Sequence, residues 1–381
     1  MSKENNSQRT TAPLYKHIEL DAPNLSGREK KYLCRCLDKG LISTFGPFVV
    51  EFEEKLSRYA KAKRGVSLQS CTAAIQICLH ELGIGKGDEV IVPFLTFVAT
   101  VNPVLYTQAK PVFVDVDAGT WNINPEEIKR AITKRTKAII PVHLYGNPCN
   151  MDAIMGIARK YGLYVIEDAA QALGARYKGR YAGTFGDFGC FSFNGNKVIT
   201  TGGGGMVVGN NLKRLSHIKY LANQARDDAQ EYYHSEMGFN YRMTNIEAAL
   251  GLAQLERLDS FLAKKSEFNR IYKEELEGCD FIDFQEEYAN AISSHWLTCI
   301  VFKKRINIPL LQKNLKAKGI PTRRTYMPLV AFPPYAKYRS RRLNNSCSIY
   351  ERGLCLPGST LNSNEDIHYV GKTLKGLVWG I

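Results

Sequence analysis

One lysine stands on a turn between two apolar runs and beside four consecutive glycines, in the block FSFNGNKVITTGGGGM (191–206). Burial at such a turn would lower the ammonium pKa of Lys197 and make the amine a nucleophile able to form a Schiff base. A surface lysine in a flexible loop would read the same way. The glycine run alone decides nothing, since it has neither the Walker spacing nor the dinucleotide fingerprint with its following helix. A second candidate is Ser70-Cys71-Thr72-Ala73-Ala74, where a strand gives way to a helix. Free backbone N–H groups and the helix dipole make such a point an anion site, with hydroxyls as further donors. A plain N-cap by Ser70 or Thr72 is the other reading.

The third candidate is Ile166-Glu167-Asp168-Ala169-Ala170-Gln171, which ends an apolar strand with two carboxylates. Buried carboxylates need a partner, either a structural cation or a protonated ring nitrogen, unless the Asp caps the next helix. Together the three stretches supply a phosphate cradle, an acid for a pyridinium nitrogen and an amine for an imine. Those are the requirements of pyridoxal 5′-phosphate, whose ring is an electron sink.

Elements that position these groups follow from periodicity. Short runs rich in Val, Ile and Phe occur at 65–70, 89–94, 111–117, 138–146, 164–170, 188–193 and 204–209, bounded by Gly, Pro or Asp as buried strands are. Between them, residues 71–82, 124–135 and 151–162 space apolar side chains three and four apart, which predicts helices. The alternation predicts an α/β fold around a mostly parallel seven-stranded sheet, with ligands bound outside the strands' C-terminal ends. After residue 245 the texture changes to a long helical pattern. A strand at 295–302, a helix and a Pro-rich loop at 327–335 follow, as in a smaller α+β unit. The expected organisation is an N-terminal arm at 1–25, a large cofactor-binding domain at 26–250 and a small domain at 251–381.

Composition narrows the classes. The chain has 381 residues, 44% hydrophobic and 23% charged, which excludes disordered and collagen-like proteins. A net charge of +14 invites a polyanion partner. Only KYRSRR (337–342) clusters basic and aromatic residues, and it reads as a solvated loop, so no nucleic acid is expected. The charge then suits small anionic substrates. Ten cysteines form no C-x-x-C pair, and only Cys34 and Cys36 come close, so no metal site is expected. No apolar leader opens the chain, and the stretch 90–106 is too interrupted to span a bilayer, so a soluble cytoplasmic protein is expected, with no membrane partner.

The chain resembles the DegT/DnrJ/StrS sugar aminotransferases, within the fold-type I pyridoxal-phosphate enzymes. The likeness runs from PNLSG (23–27) to GLCLP (353–357), carried by FSFNGNKVITTGGGGM and supported by PVHLYGNP, VIEDAAQALGA and GFNYRMTNIEAALGLAQL. The resemblance implies that Lys197 carries the cofactor and moves the protons, and that Asp168 pairs with the pyridine nitrogen. Phe97 would stack on the ring, Gln171 would lie near the ring hydroxyl, and Cys71, Thr72 and Ser192 would hold the phosphate. Asn240 of GFNYR would reach the same phosphate from the neighbouring subunit of a homodimer. Cys71 replaces the usual Gly or Ala, and Val330 replaces a His that the family associates with the sugar. Relatives with His for the lysine are dehydratases, so Lys197 favours transamination.

By the same likeness, L-glutamate would donate to C4 of a nucleotide-linked 4-keto-6-deoxyhexose. UDP-4-keto-6-deoxy-N-acetylglucosamine is the expected acceptor, feeding surface glycans such as the O-antigen of lipopolysaccharide. GDP-linked (perosamine) and dTDP-linked 4-keto sugars are the alternatives, as is a non-catalytic, cofactor-binding regulator. Ile42, Ser43 and Tyr326 would line the sugar region. Arg226 and Arg242 pair either with a diphosphate or glutamate carboxylate or in an interface salt bridge. His143 and His295 read as structural.

Overall fold

The computed structural model describes residues 17–228, 230–338 and 344–378. The seven Val-, Ile- and Phe-rich runs form seven strands: β1 (Arg64–Leu68), β2 (Glu89–Pro93), β3 (Lys110–Val114), β4 (Thr136–Ile139), β5 (Tyr164–Asp168), β6 (Phe188–Ser192) and β7 (Gly205–Gly209). They make one sheet in the order β1-β7-β6-β5-β4-β2-β3. β7 runs antiparallel to both neighbours, and the other pairs are parallel. Strands this apolar must be covered on both faces. The helix Cys71–Glu81 buries Ala74, Ile77 and Cys78 with Val90, Val92 and Val207 on one side, and Phe52, Phe193 and Met206 pack with Leu252 on the other.

Where the predicted elements were too long, backbone chemistry stops them. The run at 138–146 leaves the sheet after Ile139, because Pro141 has no N–H to give a ladder; its carbonyl instead accepts the Asp168 amide at 2.9 Å. The helix expected over 124–135 ends at Ala131, where Ile132 turns extended. Thr133 and Arg135 beyond it bond the buried Glu89.

The long helical texture after 245 is two helices, Asn245–Leu255, started by a Thr244/Glu247 capping box, and Leu258–Glu275. A second, antiparallel sheet comprises β8 (Ile282–Phe284), β9 (Cys299–Phe302), β10 (Arg323–Arg324) and β11 (Gly353–Cys355), in the order β8-β9-β11-β10. Its core joins Ile300 and Leu354 to Phe268, Leu374 and, from the start of the described chain, Ile18. The Leu20 carbonyl accepts the Gly358 amide at 2.7 Å, which fastens this first segment to the C-terminal sheet. Among the described residues no helix is long and apolar enough to cross a membrane, and no group of His, Cys, Asp and Glu could hold a metal ion. Residues 1–16 of the expected arm and 339–342 of KYRSRR lie outside the described residues.

Candidate active site

Parallel strands β5 and β6 end side by side, and their last residues, Asp168 and Ser192, open on one cavity of about 370 Å³. The N-terminus of helix Cys71–Glu81, the Phe97–Thr100 turn, the Lys197 turn and Tyr326 complete its walls. The cavity therefore gathers Cys71, Thr72, Phe97, Asp168, Gln171, Ser192, Lys197 and Tyr326.

Strand alternation separates the two carboxylates of β5. Glu167 points away from the cavity, and its oxygens accept His143 Nε2 at 3.0 Å and the amides of Gly183, Phe185 and Gly186. His143 is thus a wall residue, with Nδ1 accepting the Cys149 amide. Asp168 faces the cavity and is 5% exposed. Burial raises its carboxyl pKa, opposed by the Thr100 hydroxyl donating to Oδ2 at 2.6 Å and the Ala170 amide donating to Oδ1 at 3.1 Å. Thr96 Oγ1, 2.8 Å from Thr100 Oγ1, extends the chain.

Lys197 keeps part of its side chain open to the cavity, while its nitrogen lies 4.2 Å from the centroid of the Trp296 indole. Loss of hydration there pulls the amine down to about 8, against the pull of Asp168. Trp296 is fixed in turn: Nε1 donates to the Asn196 carbonyl at 2.6 Å, and the ring stacks 6.3 Å from Tyr145. Lys265, 5% exposed, donates Nζ to the carbonyls of Trp296 and Gly358 at 3.1 and 2.7 Å.

At the helix N-terminus the capping and anion-site readings coexist. Ser70 Oγ accepts the Ala73 amide at 3.1 Å, and Cys71 and Thr72 still line the cavity. A Cβ on Gly205 would stand 2.4 Å from the Cys71 nitrogen, so only glycine lets β7 pass this close. Burial pushes the Cys71 thiol pKa up, leaving the backbone as that residue's useful donor. Gln171 accepts the Tyr145 amide at 2.6 Å and donates to Tyr326 Oη at 3.4 Å; Tyr326 lies 5.4 Å from the parallel Tyr145 ring. Phe97 remains 53% exposed above the opening. An anion cradle, an unquenched amine, a buried carboxylate and an aromatic lid are the donor set that pyridoxal phosphate requires, and these residues fit it.

Other candidates stay outside this cavity. Ile42 is exposed, and the Ser43 carbonyl accepts the Asn245 amide at 2.6 Å. Arg242 donates to Asn223 Oδ1 at 3.0 Å and to the Thr44 carbonyl, beside a mostly apolar hollow of about 410 Å³ where Lys219 Nζ is already paired with the buried Glu53 at 2.7 Å. Arg226 lies 5.6 Å from the Tyr232 ring, and Asn240 is exposed. Thr100, Asn196 and Arg323 line the site without having been singled out from sequence, and Trp296 joins them from the SHWL segment (294–297). The Thr96/Thr100 spacing was a legible signal; the others depend on tertiary placement.

The model of the DegT/DnrJ/EryC1/StrS aminotransferase family matches residues 23–375. The GDP-perosamine synthase of Escherichia coli O157:H7 is 40% identical over 360 residues, covering 94% of this chain and 98% of that one. The UDP-2-acetamido-2-deoxy-3-oxo-D-glucuronate aminotransferase of Pseudomonas aeruginosa is 38% identical over 302 residues, 78% of this chain and 81% of that one. Among solved structures, Spr1654 of Streptococcus pneumoniae in its PLP form superimposes with a TM-score of 0.91 at 28% identity, over 96% of this chain and 99% of that one. The chain belongs to the DegT/DnrJ/EryC1/StrS aminotransferase family.

Proposed function

We propose that this fold-type I, pyridoxal-phosphate-dependent sugar aminotransferase moves the amino group of L-glutamate to C4 of a nucleotide-linked 4-keto-6-deoxyhexose. The observation that carries the reading is the Lys197 amine, held at a pKa of about 8 in the cavity that Asp168 also faces. Pyridoxal phosphate, when bound, supplies the electron sink that makes the donor's Cα–H acidic. Thr72, Ser192 and the Cys71 backbone would hold its phosphate, Asp168 would keep its ring nitrogen protonated, Gln171 would lie near the ring hydroxyl and Phe97 would stack on the ring. Uncharged Lys197 Nζ takes the Cα proton of the donor in the first half-reaction and delivers a proton to the sugar carbon in the second. One base thus serves both directions.

UDP-4-keto-6-deoxy-N-acetylglucosamine is the acceptor we assign, because QAR (224–226), GFNYR (238–242) and SHWL (294–297) resemble the segments of enzymes that act on that sugar, with the product entering a surface glycan such as O-antigen. A second reading, the GDP-linked 4-keto sugar that leads to perosamine, draws support from the 40% identity to a GDP-perosamine synthase. Both readings use Ile42, Ser43 and Tyr326 on the sugar side. Both also assume a homodimer in which Asn240 serves the partner's cavity, with Arg226 and Arg242 pairing with the diphosphate or a glutamate carboxylate. A cytoplasmic setting suits ten cysteines of which none is in a disulfide among the described residues.

UDP-, GDP- and dTDP-4-keto-6-deoxy sugars incubated with L-glutamate, with products weighed by mass spectrometry, test the assignment. Amination of the UDP sugar alone is expected. Amination of the GDP sugar alone selects the second reading, and an absorption spectrum that L-glutamate leaves unmoved would point to a non-catalytic regulator.

A further inference from the structure

Asn147 follows the Leu144–Gly146 turn and is 1% exposed. Its Nδ2 donates to two backbone carbonyls, Glu286 at 2.8 Å and Thr120 at 3.3 Å, which fixes the other arm of the carboxamide as the oxygen. That oxygen is buried and receives no hydrogen bond from the described residues. Folded chains leave few acceptors in that state, because burial without a partner is costly. With Asn269, Gln285, Glu287 and Thr298, Asn147 lines a polar cavity of about 20 Å³, which shares no residue with the Lys197 cavity. It has room for one particle the size of a water.

Gln285 repeats the arrangement. Its Nε2 donates to the Thr120 and Leu144 carbonyls at 2.8 and 3.2 Å, so its oxygen too is the uncommitted end. Asn269, on helix Leu258–Glu275, commits Nδ2 to Thr298 Oγ1 at 3.3 Å. Glu287 accepts the Ser293 amide on Oε2 at 3.1 Å, while Oε1 stands 3.8 Å from His295 Nε2, beyond hydrogen-bond reach. Three carboxamides and one carboxylate therefore offer more acceptors than a water, with its two donors, can serve. A bare cation can engage them all. Mg²⁺ keeps several waters, for which the cavity is too small, and Ca²⁺ takes six to eight oxygens. Carbonyl oxygens that replace a hydration shell suit a larger ion of single charge, and one carboxylate balances that charge. We infer that this cavity binds one potassium-sized monovalent cation through the carboxamide oxygens of Asn147, Gln285 and Asn269, with Glu287 supplying the charge. The Glu287 side chain, 28% exposed, marks the way in from solvent. Held there, the ion joins the segment leading into Trp296 to the turn that carries Tyr145, whose rings stack at 6.3 Å. The site lies outside the transaminase reading and does not rest on it.

The test exchanges holoenzyme into choline chloride and titrates in KCl or LiCl at fixed total ionic strength, with the unfolding temperature as readout. KCl should raise it along a saturable curve, by about 3 °C at 100 times the dissociation constant, and LiCl should leave it in place. Glu287→Gln keeps an oxygen for the Ser293 amide and removes the charge. Its potassium midpoint should lie at least about tenfold higher, as for a lost charge-assisted contact. An unfolding temperature that follows ionic strength alone, or a midpoint that Glu287→Gln does not move, overturns the inference. Should the variant fail to fold, wild-type crystals holding thallium(I) in place of potassium decide the matter by anomalous diffraction. A peak within coordination distance of Asn147 Oδ1 supports the site, and an ordinary water at that position rejects it.

Discussion

The Lys197 nitrogen sits 4.2 Å from the centre of the Trp296 indole, and that indole is pinned to the lysine's own turn through Nε1 and the Asn196 carbonyl. The turn that carries the amine and the ring beneath it therefore move together. Trp296→Phe keeps a ring but loses the donor, and Trp296→Ala loses both. Each should lower kcat, by about 10-fold and 100-fold respectively, because small misplacement of a reacting group is costly. Cofactor content should be unchanged, since no cradle residue is touched. Single-turnover absorbance traces check this, and equal kcat in the three proteins would falsify it.

Thr100 tunes Asp168. Its hydroxyl donates to the carboxylate form, so Thr100→Val removes stabilisation of the anion while burial still raises the carboxyl pKa. The folded-state pKa then climbs further, because the lost hydrogen bond favoured the charged form. Activity on the acid side should fail at correspondingly higher pH in the variant. Superimposable acid limbs of kcat would refute the coupling.

The amine pKa of about 8 makes a prediction for the apoenzyme. The neutral fraction of Lys197 should rise about tenfold per pH unit up to that value and then level off, whereas an ordinary lysine keeps rising to about 10.4. Rates of imine formation with added pyridoxal phosphate, measured from pH 6 to 10, should bend near 8. A profile that climbs without a bend to pH 10 contradicts the desolvated site.

Much of this was readable in advance, for physical reasons. All seven strands announce themselves because a sheet covered on both faces demands unbroken apolar runs, and Lys197 and Asp168 are legible because polar groups interrupt those runs. Glu167 was not separable from Asp168 by type. Only the two-residue alternation of β5 sends one to the wall and the other to the cavity. Trp296 precedes β9, Lys265 lies on helix Leu258–Glu275 and Arg323 opens β10, all far along the chain, and no local spacing brings them to Lys197. Asp21 likewise meets its partners Asn196 and Arg323 only through tertiary placement, since both are distant in sequence.

Lys265 should leave a mark on stability. Burial pulls its amine down to about 8, so between there and about 10.4 the unfolded chain holds the extra proton. Stability therefore rises with pH across that window, by at most about 1.4 kcal/mol per unit from this group. Lys265→Met removes the contribution. Urea unfolding at intervals from pH 7.5 to 10 should give a flatter dependence for the variant, and parallel slopes would show that the amine titrates normally.

Asn240 decides whether the cavity is completed in trans. It is exposed and lies outside the Lys197 cavity of its own chain. If it serves the partner's phosphate cradle, Lys197→Ala and Asn240→Ala are each inactive as homodimers but complementary as a hybrid. One hybrid site then combines both lesions and is dead, while the other combines both intact residues. Random reassortment makes half the dimers hybrid, so the mixture should recover about a quarter of wild-type activity, as an isologous dimer with shared sites requires. Subunits exchanged in mild denaturant and assayed after refolding give the answer: recovery near that fraction supports sites built from two chains, and a mixture as inactive as its parents means that each chain completes its own.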